Sequence, residues 1–411
     1  MSDIARPNAI EISGKTPHRM WLHLLSPILK SITIGRLTLT LPNGTVLSVQ
    51  GAHPGPDAQV TLHRYRAIRR FILKGSIGFC EAHMDGDWSS PDLTALFRLG
   101  FANEETGLDL DGNWLTRLSG RISHGLRRNT KRRAKRNILA HYDLGNAFYQ
   151  SWLDPSMTYS SAIWPTHKQD LPLQQAQTHK FSRIADLAAI KPGMRVLEIG
   201  CGWGGMANYL ATERGAHVTA LTLSEAQNAH VRDMIASQDL QNRIDLRLQD
   251  YRDLTDQPFD AIISIKMFEA VGEAYWSKFF NTLHTMLKPG GKAGLQIITI
   301  ADQHFNAYRK RSDFIREYIF PGGMLPSVAA LKQQTALAGL QIDALSNHAS
   351  DYARTLACWA QGFASDWPKL TTLGFDDRFR AMWNLYLSGC EAGFAEDTLG
   401  LHQMSITRPQ S

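Results

Sequence analysis

The sequence predicts an α/β protein whose main domain is built on a doubly wound parallel sheet. Between residues 184 and 301, short apolar runs alternate with segments of helical periodicity. Such alternation is typical of parallel strands that are joined by crossover helices. The first apolar run leads directly into a glycine-rich turn at residues 200–205. A glycine turn between a strand and a helix is where sheets of this kind bind nucleotide-like ligands.

The elements of this domain can be placed one by one. Strands are predicted in VLEI, HVTALTL, IDLRL, FDAIISI and AGLQIITI, and helices in WGGMANYLATERG and SEAQNAHVRDMIASQDL. Residues 302–411 show mostly helical patterns and many aromatic side chains, which predicts a helical cap over the sheet. We find no apolar stretch near the ~18–20 residues that a membrane-spanning helix needs. The first residues have no apolar core either, so we expect no secretory signal.

The N-terminal part, residues 1–112, predicts a separate small α+β domain. The run ITIGRLTLTLPNGTVLSVQG alternates apolar and polar residues on both sides of Asn43-Gly44. This pattern predicts a β-hairpin, because Asn-Gly tolerates positive φ in the turn. The following run, HRYRAIRRFILKG, has helical spacing and a closing glycine, which predicts a helix that ends at Gly75.

Positive charge is concentrated between the two predicted domains. The chain of 411 residues has a net charge of +6, and nine of the twenty residues 117–136 are Arg or Lys. We therefore predict a basic linker at residues 113–140 and a second domain at 141–411. A basic run suits an anionic partner, either nucleic acid or an acidic membrane face. The four cysteines are far apart in sequence, which argues against a disulfide framework or zinc site and favours the cytoplasm.

The glycine turn has the spacing of a particular cofactor site. Glu198 precedes Gly200-x-Gly202-x-Gly204, which differs from the dinucleotide fingerprint G-x-G-x-x-G. An acidic residue followed by this spacing fits S-adenosylmethionine, whose amino-acid end and ribose lie over the loop. The alternative is a tight turn of the kind that any α/β protein contains.

The ends of the next two strands supply further cofactor candidates. Thr222 and Leu223 stand where many nucleotide-binding sheets place a ribose-binding acid, and Gln227 follows three residues after Ser224. Gln227 can bind the cofactor or merely complete a capping box. The third strand is followed by the candidates Gln249, Asp250 and Tyr251, where side chains usually meet an adenine.

Glu269 is the candidate for chemistry at the end of the fourth strand. It follows the apolar run FDAIISI and precedes a predicted helix, so its carboxylate is expected to face the crevice. The alternative is an acid that complements the dipole of that helix. The Asn/Asp-Pro-Pro-Tyr pattern of amino-methylating nucleic-acid enzymes is missing from this position, which argues against nucleic acid as a partner.

Taken together, these segments resemble the cyclopropane-fatty-acyl-phospholipid synthase family. The matching strings are HYDLGNAFY, LDPSMTYSSA, KPGMRVLEIGCGWGG, LQDYRDL, MFEAVGEAYW, DFIREYIFPGGMLPS and DYARTLACW. They run in the expected order over residues 35–400, and five of the seven lie outside the generic methyltransferase glycine loop. The N-terminal string GSIGFCEAHMDGDW also resembles the lipid-carrier-like domain of the family.

The resemblance implies a Rossmann-like class I methyltransferase fold and an enzyme that alkylates a cis double bond in a phospholipid acyl chain, giving a cyclopropane. The cofactor is S-adenosylmethionine, and family members use a bound bicarbonate ion as the base. The family's bicarbonate ligands correspond to Ser161, Glu269, Gln296 and Tyr352, and its late active-site cysteine corresponds to Cys390. Its cofactor contacts correspond to Tyr159, Ser160, Gly200, Gly202, Thr222, Gln227 and Asp250.

Gln296 is the main departure from the family pattern, because it stands where the family has a histidine. Glutamine can donate a hydrogen bond to an anion but cannot carry positive charge, so we expect a weaker bicarbonate site. The same carbocation then has a second outcome, a methyl-branched or methylene chain. Aromatic faces can support such a cation. The candidates for this role are Tyr149, Tyr159, Phe268, Tyr318, Phe320 and Tyr352.

The resemblance also implies where the enzyme works, on the inner face of the membrane as a peripheral protein that is held by the basic run, and it suggests a homodimer. Three other classes stay open. A small-molecule N- or O-methyltransferase would act without vesicles. A nucleic-acid methylase would bind RNA in a salt-sensitive way. A non-catalytic lipid-binding protein would not turn over bound cofactor.

Overall fold

The computed structural model describes residues 9–15, 19–104, 144–168 and 170–410. The predicted basic linker, including residues 117–136, lies outside these described residues. Two compact units are present. The first comprises Met1–His124, Lys310–Tyr318 and Gly374–Thr398, and the second comprises Gly125–Arg309, Ile319–Leu373 and Leu399–Ser411.

The first unit has the α+β composition that the sequence predicts. Its five-stranded sheet has the order β1-β3-β2-β4-β5. The strands are β1 (Ile10–Ser13), β2 (Ile34–Thr40), β3 (Val46–Gln50), β4 (His53–Leu62) and β5 (Trp88–Ser89). The helices before residue 104 are α1 (Arg19–Lys30), α2 (Arg66–Met84) and α3 (Leu93–Ala102). A likeness to a lipid carrier stays a prediction.

The predicted hairpin is present, and the helical backbone is interrupted at Gly75, where the sequence predicts the end of a helix. Strands β2 and β3 pair antiparallel, and Gly44 in their turn has a φ of +85°. The range of α2 comprises two helical segments that meet at Gly75, whose backbone is not helical (φ 59°, ψ −142°). Only glycine adopts such a backbone readily, so Gly75 closes the first segment as predicted, and a second segment that we did not predict continues to Met84.

The first unit also contains a helix from the far end of the chain. This helix spans Asp377–Ala395 and is α13 in the numbering used below. Its neighbourhood is tied to the N-terminal segment by Glu396, which accepts a hydrogen bond from Arg98 at 2.6 Å, and by Arg378, which contacts Asp85 at 3.2 Å. The domain boundaries that we predicted, 1–112 and 141–411, did not foresee this exchange, because sequence neighbours are assigned to one domain by default.

The second unit contains the predicted doubly wound sheet. Its strands are β6 (Arg195–Ile199), β7 (His217–Thr222), β8 (Ile244–Leu248), β9 (Phe259–Ile265), β10 (Leu287–Ile300), β11 (Gln341–Asn347) and β12 (Leu399–Thr407). The larger helices are α4 (Asn146–Trp152), α5 (Leu173–Leu187), α6 (Gly205–Thr212), α7 (Glu225–Ser237), α8 (Trp276–Met286), α9 (Asp302–Tyr308), α10 (Val328–Leu337), α11 (Ala349–Ser365) and α12 (Trp367–Thr372). All five strands and both helices predicted from the sequence are present.

The strand order of this sheet is β11-β12-β10-β9-β6-β7-β8. Strands β6 to β10 pair in parallel, while β12 is antiparallel to β10 and β11 is antiparallel to β12. The chain winds outward from β6 in one direction and returns through β9 in the other. Such a reversal opens a crevice at the carboxyl ends of β6 and β9, where ligands bind in open α/β sheets.

Both faces of the sheet are covered by packed apolar layers. One layer joins the sheet to α8 and α10 and includes Leu197, Ile262 and Leu295. The other joins it to α5, α6 and α7 and includes Val196, Ile263 and Ala220. Parallel strands that are buried on both faces read as continuous apolar runs, which is why the sequence revealed them so clearly.

The prediction for residues 302–411 was wrong in one respect. This segment is not only a helical cap, since it supplies strands β11 and β12 to the sheet and helix α13 to the first unit. The alternating run in β12 was overlooked because it follows a long helical stretch. Across the described parts of the chain, we find no helix with the length and apolar character needed to cross a membrane.

Candidate active site

A cleft opens at the carboxyl ends of β6 and β9, within the second unit. Its walls come from four stretches of chain, namely residues 157–160, the glycine turn, the ends of β7 and β8, and residues 265–271. Eleven of the twelve predicted cofactor residues line it. They are Tyr159, Ser160, Glu198, Gly200, Gly202, Thr222, Leu223, Gln227, Gln249, Asp250 and Tyr251.

The glycine turn forms the floor of the cleft. Gly200 has a φ of +86°, and a Cβ there would lie 2.8 Å from Cγ of Met267. Gly204 is the exception among the predicted residues, because it does not line the cleft. It precedes α6 with a φ of +86°, and a Cβ there would lie 2.9 Å from Met234 and 3.0 Å from Val231. The absence of a side chain at Gly204 therefore lets α7 pack closely against the turn.

Glu198 brings a buried carboxylate to the cleft. It lies near the end of β6 and is 3% exposed, and its Oε2 has no hydrogen-bond partner among the described residues. Burial raises the pKa of Glu198, while the nearby Lys180 pulls it down. A buried oxygen without a donor is costly in the free protein, so this atom is suited to a positively charged ligand group.

The side chain of Gln227 is fixed by the end of β7. Ser224 caps α7 by accepting the backbone N–H of Gln227 at 3.3 Å, and Thr222 donates its hydroxyl to Gln227 Oε1 at 2.8 Å. The two alternatives for Gln227 therefore coexist, since it belongs to a helix cap and also lines the cleft.

Asp250 is held at the end of β8 by an arginine that sequence reasoning missed. Arg252 donates Nε to Asp250 Oδ1 at 2.8 Å and Nη2 to Oδ2 at 2.5 Å. Both side chains are at most one-tenth exposed, and such bidentate, charge-assisted pairs are strong and directional. Gln249 donates Nε2 to the carbonyl of Asp253 at 3.0 Å, so the whole turn presents a fixed wall.

Glu269 lies beside the cleft rather than in its lining. Its neighbours Met267 and Ala270 are part of the wall. Its Oε1 accepts the backbone N–H of Ile298 at 2.5 Å, and its Oε2 is buried without a partner among the described residues. Burial raises the pKa of Glu269 to about 7, against the opposing effects of the Ile298 N–H and Lys266. A carboxyl group poised near neutrality is suited to accept a proton.

Ser161 and Gln296 lie together, but they are tied into a buried network. Gln296 donates Nε2 to the carbonyl of Ser161 at 3.2 Å and accepts from Gln403 Nε2 at 2.9 Å. Gln403 in turn accepts from Arg183 at 2.7 Å. Gln296 and Glu269 thus have different partners. The bicarbonate ion implied by the resemblance does not fit this arrangement well, because Gln296 carries no charge and its amide is already engaged.

The network makes Gln296 important for stability. We expect Gln296→Leu to lower the free energy of unfolding by about 2–3 kcal/mol, because it leaves the Ser161 carbonyl and the Gln403 Nε2 group without partners. Urea unfolding of the purified protein measures this, with Gln341→Leu as the control at an exposed position of β11. An unchanged midpoint for Gln296→Leu would show that the network does not hold the strands together.

Aromatic rings surround a buried ammonium group next to the cleft. Lys266 Nζ lies 3.7 Å from the ring centroid of Tyr159, 5.3 Å from that of Phe320 and 5.8 Å from that of Trp359. Tyr352 on α11 is buried and packs edge-on against Trp359 at 6.0 Å. Because aromatic faces attract cations, these rings stabilise the charged form of Lys266 beside the cleft.

The remaining aromatic candidates lie elsewhere. Tyr149 packs between the rings of Tyr159 and Trp203, and Phe268 packs in the apolar layer with Trp276 and Phe279. Tyr318 belongs to the first unit, where it donates its hydroxyl to Glu81 at 3.0 Å. Cys390 also belongs to the first unit, on α13, and its catalytic role stays a prediction.

Three charged residues of the cleft region were missed by sequence reasoning: Lys180, Arg252 and Lys266. A lone basic residue gives no signal unless its burial is known. Lys266 did offer one clue, since it directly follows an apolar strand, and the structure gives it a φ of +49°. A non-glycine residue at positive φ is uncommon and often marks a functional position.

The residues of the cleft fit the cofactor that the glycine spacing predicted. Gly200 and Gly202 leave the floor open for a close approach, and the unpartnered Glu198 carboxylate offers an acceptor to an ammonium group. The strand order and the site at the switch point together define an S-adenosylmethionine-dependent methyltransferase of class I.

The chain belongs to the mycolic acid cyclopropane synthetase family, because the sequence model of that family matches residues 129–404. It is 35% identical over 379 residues to the tuberculostearic acid methyltransferase UfaA1 of Mycobacterium tuberculosis, covering 90% of this chain and 88% of that protein. It is 34% identical over 366 residues to the cyclopropane-fatty-acyl-phospholipid synthase of Escherichia coli, covering 88% and 90%. The resemblance found in the sequence is thereby confirmed.

Solved structures agree with this assignment. The cyclopropane synthase MmaA2 from Mycobacterium tuberculosis has a TM-score of 0.62 and 29% identity, and the match covers 66% of this chain and 98% of that one. The mycolic acid cyclopropane synthase CmaA1, complexed with SAH and CTAB, gives a TM-score of 0.62 at 28% identity with the same coverage. The fold class predicted from the sequence is therefore confirmed.

Proposed function

We propose that this enzyme adds the methyl carbon of S-adenosylmethionine to the cis double bond of an unsaturated phospholipid acyl chain and closes a cyclopropane ring. The observation that carries the proposal is the length of the similarity. Relatives named for fatty-acid or phospholipid substrates match 88–90% of this chain, whereas the cyclopropane mycolic acid synthase 3 of Mycobacterium tuberculosis matches 66%. Because this chain shares more of its length with the relatives named for fatty-acid or phospholipid substrates, the comparison supports a phospholipid acyl substrate.

The described residues can be given roles in this reaction. S-adenosylmethionine, when bound, supplies an electrophilic methyl carbon on a positively charged sulfur. The π electrons of the double bond form the new C–C bond, the S–CH₃ bond breaks, and the lipid chain carries the positive charge. Tyr159 lines the cleft. The faces of Tyr159, Phe320 and Trp359 already meet the Lys266 ammonium group, so these rings serve to exclude water. Glu269 accepts the proton that leaves the new methyl group as the ring closes.

The product without a ring is a second candidate, and one observation favours it. The tuberculostearic acid methyltransferase is among the most similar relatives, and Gln296 is committed to Ser161 and Gln403. If a 1,2-hydride shift first moves the positive charge to the methyl-bearing carbon, loss of a methyl proton gives a methylene branch with the same mass as the cyclopropane. The test below therefore has to distinguish the two isomers.

The acyl chains of phospholipid vesicles provide the test. Purified enzyme, S-adenosylmethionine and anionic vesicles with cis-monounsaturated chains are expected to yield chains that are heavier by one CH₂ unit. Proton spectra separate the products, because a cyclopropane has no olefinic protons and a methylene branch does. Vesicles with saturated chains are the control. Unchanged unsaturated chains, with enzyme that binds S-adenosylhomocysteine normally, would contradict the proposal.

The same assay addresses the membrane partner and the location. We propose that the enzyme is a peripheral protein on the inner face of the membrane, because basic residues near an anionic surface contribute about 1 kcal/mol each. Residues 117–136 carry nine such residues. Product formation is expected to fall when zwitterionic vesicles replace anionic ones, or when salt is raised.

A further inference from the structure

Lys180 is a buried lysine behind the cofactor cleft, and the mechanism above does not use it. It lies on α5 and is 0% exposed. Its Nζ donates a hydrogen bond to the hydroxyl oxygen of Ser160 at 2.8 Å. It also interacts electrostatically with the carboxyl groups of Asp154 and Glu198. Burying an ammonium group in a protein interior is expensive, so its retention there calls for a compensating role.

The contact with Lys180 fixes the direction in which Ser160 can act. A serine hydroxyl has one hydrogen to donate and lone pairs to accept with. Lys180 occupies a lone pair, and among the described residues no acceptor takes the hydroxyl hydrogen of Ser160. The same helix also holds the main chain here, because Gln177 donates Nε2 to the carbonyl of Ser160 at 2.9 Å. Ser160 thus presents a fixed donor to the cleft.

Glu198 offers the cleft a hydrogen-bond acceptor, whereas Ser160 offers it a donor. Its Oε2 is a buried acceptor without a donor among the described residues, and both residues line the same cleft. A hydrogen-bond donor backed by Lys180 and the buried carboxyl group of Glu198 together match a zwitterion, which has a carboxylate and an ammonium group. The amino-acid end of S-adenosylmethionine is such a zwitterion.

We propose that Lys180 is a positioning residue that selects the carboxylate of the cofactor's amino-acid end, by orienting and polarising the Ser160 hydroxyl. The proposal rests on the proposed function only for the identity of the cofactor. Lys180 itself stays behind Ser160 and touches no reacting atom. Burial lowers the pKa of Lys180, and the carboxylates of Asp154 and Glu198 oppose this shift, so an arriving carboxylate strengthens the charged form.

Two ligands separate this role from a general structural one. The first is S-adenosylhomocysteine, and the second is its decarboxylated analogue, which keeps the amine but lacks the carboxylate. Calorimetry on Lys180→Met is expected to show at least a tenfold loss of affinity for the first ligand and less than a twofold change for the second. Lys168→Met, which removes a charge from an exposed lysine, is expected to change neither.

The Ser160→Ala variant provides an independent check. If Lys180 acts through Ser160, the double variant loses no more affinity than either single variant, because both changes remove the same interaction. Equal losses for both ligands, or fully additive losses, would overturn the proposal. If the unaltered enzyme fails to bind S-adenosylhomocysteine, the assignment of the cofactor fails instead, and the two failures are thus distinguishable.

Discussion

Replacing Glu269 with glutamine is expected to reduce turnover by about 100- to 10,000-fold, the range that a positioned proton acceptor contributes. Glutamine keeps the shape of the side chain, and its amide oxygen can still accept the N–H of Ile298 that Glu269 Oε1 accepts. The change removes the basic oxygen, Oε2, which has no partner among the described residues. Affinity for S-adenosylhomocysteine should therefore be retained. Single-turnover assays on unsaturated vesicles and calorimetry measure the two quantities.

A matched control lies four residues further along the chain. Glu273 is partly exposed and pairs with Arg309, so Glu273→Gln makes the same chemical change away from the cleft. It is expected to turn over at nearly the rate of the unaltered enzyme. Wild-type turnover by Glu269→Gln would remove this carboxylate from the mechanism and leave the proton acceptor to be sought elsewhere.

The pKa of Glu269 gives the same prediction a pH signature. Only the ionised carboxylate accepts a proton, and burial raises the pKa of Glu269 to about 7. Turnover should therefore increase as the pH rises through about 7 and then level off. In an unfolded chain the same group has a pKa of about 4.3, so the folded state binds more protons between these values. The contribution of Glu269 to stability accordingly falls as the pH rises across this window.

The elements that the sequence revealed share one physical property, which is strong local patterning. The buried strands β6 and β9 are continuous apolar runs, and the glycine turn sits between a strand and a helix, so their roles follow from neighbours in sequence. The β12 strand and helix α13 were misassigned because their partners are distant in sequence. Strand β12 pairs with β10, more than a hundred residues earlier, and no local pattern reports such a pairing.

The candidate site shows the same division. Residues on the glycine turn and at strand ends could be assigned from position alone, because topology fixes where strand ends lie. The side-chain contacts that hold these residues in place could not be predicted, because they come from elements that are distant in sequence. Lys180 reaches Ser160 from α5, and Gln403 reaches Gln296 from β12. A resemblance assigned Gln296 to an anion site, whereas the structure gives its amide two protein partners.

The second large effect is expected at Gly200, where alanine should weaken binding of S-adenosylhomocysteine at least tenfold. Two costs combine at this position. A residue with a Cβ at a φ of +86° is strained by about 1–2 kcal/mol. In addition, the new Cβ would lie 2.8 Å from Cγ of Met267, so the Met267 side chain has to move, and Met267 is part of the cleft wall.

Gly193→Ala separates the two costs. Gly193 has a φ of +80° and open space around the position of a Cβ, and it lies in the turn before β6, away from the cleft. Both variants are expected to lose stability through backbone strain, as measured by urea unfolding, but only Gly200→Ala should lose ligand affinity in calorimetry. If both variants bind S-adenosylhomocysteine as tightly as the unaltered enzyme, the close approach of the ligand to Gly200 is refuted. If both lose affinity equally, backbone strain alone explains the loss, and the displaced Met267 wall has no part in it.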